Sequence, residues 1–243
     1  YMIYRYNAHA DIWETIGRRI SENRFVDNIC AKGESYRYRV RAIDKSWNVS
    51  DPSNEVTAST SVQPALIAQW PLNGTLSEKT ENQLHAVSNG VDFLTNDTHN
   101  GAVFDGTNDY ISLPYHVADM KAMTFSAWVK ISSTTAWQRI FDFGRSQKDY
   151  LFLTNNNGSR LRFEICKDGV KQGLNATKDL SADIWTHVVV TIGDSGTKIY
   201  LDGKLNASTT DITFRPSDIA PNVCYLGRSF FDQDPLFAGV LGD

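Results

Sequence analysis

Residues 185–205 read WTHVVVTIGDSGTKIYLDGKL. Two runs rich in β-branched and aromatic residues flank a turn at Asp194-Ser195-Gly196, and a second turn, Asp202-Gly203, follows directly. Val188, Val190 and Ile192 alternate with Val189, so apolar side chains leave both sides of the strand, as they do in a central strand covered on both faces. Asp-Gly supplies the positive φ that a tight hairpin turn demands. Almost no reactive side chain sits here. The hairpin reads as scaffold.

The signature repeats outward along the chain. VRAID (40–44), AVFDG (102–106), YISL (110–113), FSAWVKI (125–131), RIFDFG (139–144), YLFLT (150–154), LRFEI (161–165) and CYLGRS (224–229) are short β-rich runs separated by Asn-Gly, Asp-Gly and Gly-Asn signals. In FSAWVKI, Phe125, Ala127, Val129 and Ile131 share one face and Trp128 takes the other. Many short strands with turns between them predict an all-β sandwich or barrel. The one helical candidate, near His116 to Lys121, is too short to matter. At 243 residues, with 41% hydrophobic and 21% charged residues, the chain can build one large β domain or two smaller ones.

Composition narrows function. With 24 Lys and Arg against 28 Asp and Glu, the formal net charge is −4, which excludes a nucleic-acid partner that would need concentrated cations. The alternating run Tyr36-Arg37-Tyr38-Arg39-Val40-Arg41 reads as the wet face of a strand. No apolar run is long enough to insert into a membrane. Cys30, Cys166 and Cys224 show no zinc-ligand spacing and read as small buried hydrophobes, with a Cys166–Cys224 bridge left open. Asn48, Asn73, Asn96, Asn157, Asn175 and Asn206 open Asn-x-Ser/Thr triplets, which are glycosylation acceptors only in a eukaryotic secreted chain.

A small, polar stretch with Pro64 over residues 61–65 reads as a linker between residues 1–60 and residues 66–243. In the first part, GESYRYRVRAIDKSWNVSDPSNEV resembles the last third of a fibronectin type III domain, with Tyr36 at the tyrosine-corner position. The resemblance implies a partial sandwich whose first strands are missing. YMIYRY reads as mid-strand, so the chain is expected to be cut from something longer, and its unpaired edge to promote association.

In the second part ALIAQWPLNG, AVFDGTNDYISLP, MTFSAWVKI, RIFDFG, WTHVVVTI, KIYLDGKL, CYLGRS and FAGVLGD resemble, in that order, a laminin G-like, concanavalin A-like jelly roll. The fold class is therefore all-β: a partial fibronectin type III sandwich over 1–60, then a jelly-roll β-sandwich over 66–243. The resemblance implies a structural Ca²⁺ where the first loop meets the last strand. Asn73, Glu78, Asn82 and Asp243 occupy the matching oxygen-donor positions. Glu81 stands where the family has Gly, and Gly242 replaces its first Asp.

Enzymes of this fold that cleave glucans carry acidic residues alternating along one strand. The sequence shows no such constellation: Glu164 and Asp168 flank a strand end and read as solvated, and His187 reads as a packed core histidine. No Gly-x-Ser-x-Gly elbow accompanies any of the 5 histidines. Catalysis is not expected in this segment. A polysaccharide or glycan ligand is, since sugar faces stack on exposed aromatics while hydroxyls pair with amides and carboxylates. The candidates are Tyr115, Trp137, Gln138, Phe230, Phe231 and Asp232. The expected role is a noncatalytic carbohydrate-binding or spacer module of a larger secreted glycoside hydrolase. The alternative is a cell-surface adhesion module binding another protein.

Overall fold

A computed structural model describes residues 1–7, 11–27, 30, 34–60, 66–80, 82, 84–95, 97–118 and 120–243, with Tyr115 and His116 described by backbone alone. The chain divides into two compact units, Tyr1–Ala65 and Leu66–Asp243. The linker expected at 61–65 lies outside the described residues.

The first unit is one antiparallel sheet of β1 (Met2–Asn7), β2 (Ile12–Gly17), β3 (Ser35–Arg41) and β4 (Val56–Ser59) in the order β2-β1-β3-β4. Its arginines do not simply face water. Arg37 lies 3.8 Å over the Tyr6 ring and Arg39 4.2 Å over Trp13, so guanidinium and aromatic rings interleave across β1, β2 and β3. Arg5 pairs with Asp27 at 2.9 Å. Trp47 is exposed, holds φ 69°, and stacks under Arg19.

The second unit begins with β5 (Val87–Asn89), β6 (Asp92–Leu94), β7 (Gly101–Asp105), β8 (Tyr110–Leu113) and a 3₁₀ turn at Tyr115–Ala118. Then come β9 (Met123–Ile131), β10 (Arg139–Ser146), β11 (Asp149–Thr154), β12 (Arg162–Lys167) and β13 (Val170–Asn175). The last elements are β14 (Thr186–Gly193), β15 (Gly196–Leu201), β16 (Lys204–Thr209), the one-turn helix α1 (Pro216–Ile219), β17 (Val223–Leu226) and β18 (Ala238–Gly242).

These strands form two seven-stranded antiparallel sheets, ordered β13-β12-β11-β10-β17-β8-β5 and β16-β15-β14-β9-β18-β7-β6. Their facing sides share one core that includes Phe104, Phe141, Phe163, Val188, Val190, Ile199 and Phe237. The quoted hairpin is β14–β15, with Val190 opposite Ile199, both fully buried, and its two-residue loop closes between Gly193 and Gly196. Asp202 and Gly203 take φ 50° and 74°, the paired left-handed geometry that the following tight turn requires. Strand β18 enters the second sheet between β9 and β7, although β7 precedes it by more than a hundred residues. Gly239 makes this insertion possible: a Cβ there would come within 2.3 Å of the Lys130 carbonyl.

All three cysteines are free thiols. A Cys166–Cys224 bridge is not formed, because Cys224 belongs to the main core while Cys166 packs with Tyr150 and Phe152 in a separate cluster. Burial pushes the Cys224 thiol up to about 12. No helix among the described residues is long and apolar enough to cross a membrane.

Candidate functional site

Two of the loop candidates, Trp137 and Phe231, lie beside Arg139. By simple alternation Arg139 and Phe141 would share a face, but the β10–β11 register slips between them. Ile140 and Phe141 both enter the core, and Arg139 joins Asp142 outside it. The guanidinium is 2% exposed and lies 4.0 Å over the Phe152 ring. Its Nε donates to Asp142 Oδ2 at 3.3 Å, its Nη2 to Asp234 Oδ2 at 2.6 Å and its Nη1 to the Trp137 carbonyl at 2.7 Å. One cation thus ties the loop before β10 to the loop before β18.

Asp142 is fully buried. Its Oδ2 also accepts from the Phe230 amide at 3.2 Å and the Ser229 hydroxyl at 3.4 Å, while Oδ1 has no partner. Burial pushes this carboxyl up to about 7, against the opposing pull of Arg139 and those hydrogen bonds.

The sequence candidates then separate. Trp137 is 39% exposed and holds φ 69°, with its N–H donated to Asn156 O at 2.6 Å. Gln138 is buried and committed: Nε2 donates to Leu236 O, and Oε1 accepts from Asn155 Nδ2. Phe230 leans on Tyr225, and Phe231 meets Tyr150 edge-on, so both rings serve partly as packing. Asp232 is exposed on the same loop. Tyr115's side chain lies outside the described residues.

Two readings are corrected. Glu164 is buried rather than solvated: it accepts the Tyr150 hydroxyl at 2.7 Å and pairs with Arg162 at 2.8 Å. His187 is half-buried on the outward face of β14, tilted against Trp128 and bonded to the Ser126 hydroxyl. Sequence reasoning also missed the surface cluster around it. His99 stacks on Trp128 at 3.8 Å, and Asp97 takes bonds from Lys130 and from the Trp185 ring nitrogen. With the Thr98 amide and these two donors, the Asp97 carboxyl falls to about 2.

The calcium candidates are brought together only in part. Glu78 Oε1 accepts the amides of Gln69 and Thr80, and Gln69 Nε2 donates to Asp243 Oδ2. Asn82 donates to Ile67 O at 2.8 Å. Asn73 is exposed and shares none of these partners. Burial works against ionisation of Glu78, yet the Thr80 and Gln69 amides outweigh it and hold the carboxyl below its usual range. Glu78 Oε2 is buried without a partner. Among the described residues no three His, Cys, Asp or Glu side chains come together as a metal cluster. A hard cation here would therefore rest on at most two carboxylates and would need carbonyl and amide oxygens to complete its shell. The ionised Glu78, with one unmet oxygen, fits that requirement.

Comparison with known proteins follows the same lines. The chain is similar to domain 4 of AbnA, an extracellular GH43 arabinanase from Geobacillus stearothermophilus solved with arabinotriose, at 18% identity and a TM-score of 0.63. That match covers 72% of this chain and 88% of the other. It is also similar to the Trypanosoma rangeli sialidase, at 17% identity and a TM-score of 0.51, over 75% of this chain and 31% of that one. The Ruminococcus gnavus IT-sialidase CBM40 matches at 18% identity and a TM-score of 0.47, over 64% of this chain and 88% of that chain. No curated protein matches. The family description concanavalin A-like lectin/glucanases superfamily fits residues 105–243, more than half of the sequence, and to that superfamily the chain belongs.

Proposed function

We propose that residues 66–243 are a noncatalytic carbohydrate-binding module of a larger secreted glycoside hydrolase, with residues 1–60 a partial fibronectin type III spacer. The observation that carries this reading is Trp137. A large indole stands exposed at the rim of the sandwich, in a backbone conformation that costs a non-glycine residue about 1 kcal/mol or more. Both its amide and its carbonyl are bonded to hold it there. Such an exposed aromatic on a tethered backbone offers a flat apolar surface to the C–H face of a sugar ring. The arabinotriose complex of the AbnA domain supports a glycan as the ligand class. The strand order β2-β1-β3-β4 supports the spacer, since sandwich domains of the immunoglobulin type build one sheet in this way. Glu78 and Asp243, with Asn82, Asn73 and nearby carbonyls, are the residues that would hold a structural Ca²⁺, whose charge would pin the first loop to β18.

Calorimetric titration of the full chain with arabinan, xylan, β-glucan and sialylated glycans tests the reading. Binding to at least one polysaccharide is expected, weakened at least about tenfold, or 1.4 kcal/mol, by Trp137→Ala. Silence across the panel, or indifference to that substitution, overturns it.

A further inference from the structure

Beside Trp137 a cleft of about 300 Å³ opens between the loop after β9, the loop after β11 and the loop after β13. Its walls include Thr134, Asn155, Asn156 and Asp179, over a floor of Ile131 and Leu180. Trp137 borders it through its bond to Asn156 O. The volume sits at the small end of the range for ligand sites, about 300–1,000 Å³, which suits about one or two sugar units and not a long stretch of chain.

The polar groups of this cleft are oriented by a relay of amides. Leu236 O can only accept, so Gln138 turns its Nε2 toward it at 2.9 Å. Gln138 Oε1 is then the group left for Asn155, whose Nδ2 donates to it at 3.2 Å and to Ser133 O at 3.4 Å. The carboxamide of Asn155, a residue only 2% exposed, is thereby fixed with Oδ1 buried and without a partner. An unmet buried acceptor in a cleft wall costs about 1–3 kcal/mol unless something donates to it. The Asn156 amide does not donate to it: its Nδ2 donates to Thr134 O and its Oδ1 accepts from the Gly158 amide. Asp179 adds a carboxylate. Its cation, Arg160 at 2.9 Å, is already paired and leaves no surplus positive charge for an acidic ligand.

We propose that this cleft receives an uncharged sugar residue at a chain end or branch of the glycan. Hydroxyls of that residue donate to the exposed Asp179 carboxylate and, once the side chains over it part, to Asn155 Oδ1 behind the wall, and its apolar face lies toward Ile131 and Leu180. Carboxylated sugars are disfavoured, since their anion would meet acceptors and Asp179. The inference rests on the carbohydrate-binding reading and adds to it where the ligand ends and which charge it carries.

The test is a methyl-labelled NMR titration of the full chain with arabinotriose, xylotriose and cellotriose, and with trigalacturonic acid and 3′-sialyllactose. The expected result is that at least one neutral trisaccharide shifts the Ile131 and Leu180 methyl signals while the acidic ones do not. Asp179→Asn, at an exposed position where folding is not at stake, weakens the neutral ligand about five- to tenfold. Thr134→Val, also at an exposed position in the cleft wall, serves as a second probe and weakens it severalfold. Neutral binding that depends on Trp137 but leaves both methyls still, or leaves Asp179→Asn within twofold, overturns the cleft and spares the module. Acidic glycans binding as tightly as neutral ones overturns the charge assignment. Failure of every glycan overturns the carbohydrate reading itself, and the cleft with it.

Discussion

At the scale of single residues, Trp137 and Asp142 make separable demands on the fold. Trp137 occupies a left-handed conformation that glycine adopts without strain. Trp137→Gly is therefore expected to be more stable than Trp137→Ala by about 1 kcal/mol in urea unfolding, while both lose the same glycan affinity. Asp142 binds its proton more tightly in the folded chain than in the unfolded one. Its contribution to stability is thus full in acid and is lost as pH rises from about 4, the usual carboxylate value, towards 7. Asp142→Asn does not suffer that loss. Relative to the parent its stability should rise by on the order of 2 kcal/mol between pH 5 and pH 8, read from urea melts at the two values. Trp137 was legible in the sequence as a large aromatic among polar neighbours. Arg139 and Asn155 were not, because a one-residue slip in β10 decides which face Arg139 takes, and alternation carries no sign of a slip. Gln138 looked like a surface residue for the same reason, whereas the fold spends its amide inside.

At the scale of elements, the strands were the readable part. Alternation over Phe125–Ile131 and Val188–Ile192 assigned their core faces, and Asp202-Gly203 announced its turn. The irregular stretch from Leu66 to Leu84 carries no period at all. What its oxygens do could be reached only through the resemblance, and of the four residues so named Asn73 stands apart from the others. If Glu78 and Asp243 hold Ca²⁺, millimolar calcium should raise the thermal midpoint of the full chain and a chelator should reverse the rise. Glu78→Gln keeps the shape and removes the charge, so it should abolish the calcium response. A midpoint unmoved by calcium in the parent protein would remove the metal from this loop.

At the scale of the whole molecule, the all-β character follows from local signals repeated many times. Which strand neighbours which does not, because pairing across a hundred residues leaves no mark on either segment. Residues 66–243 contain the complete shared core of both large sheets. Expressed alone, they should unfold in a single cooperative step and keep the glycan affinity of the full chain, as checked by calorimetry and titration. Removal of residues 238–243 from that piece should abolish the cooperative step, because β9 and β7 would lose the strand that joins them. The placement of β18 also sets a timetable for biosynthesis. The half-sheet β16-β15-β14-β9 has all its strands only once residue 209 is made, and from there to residue 238 it and the β7-β6 pair lack the strand that joins them. Native closure must wait until the segment around Val240 clears the exit tunnel and can pair with β7 and β9. An arrest-peptide force profile on nascent chains should accordingly show its pull late, once this segment emerges, rather than when the quoted hairpin does.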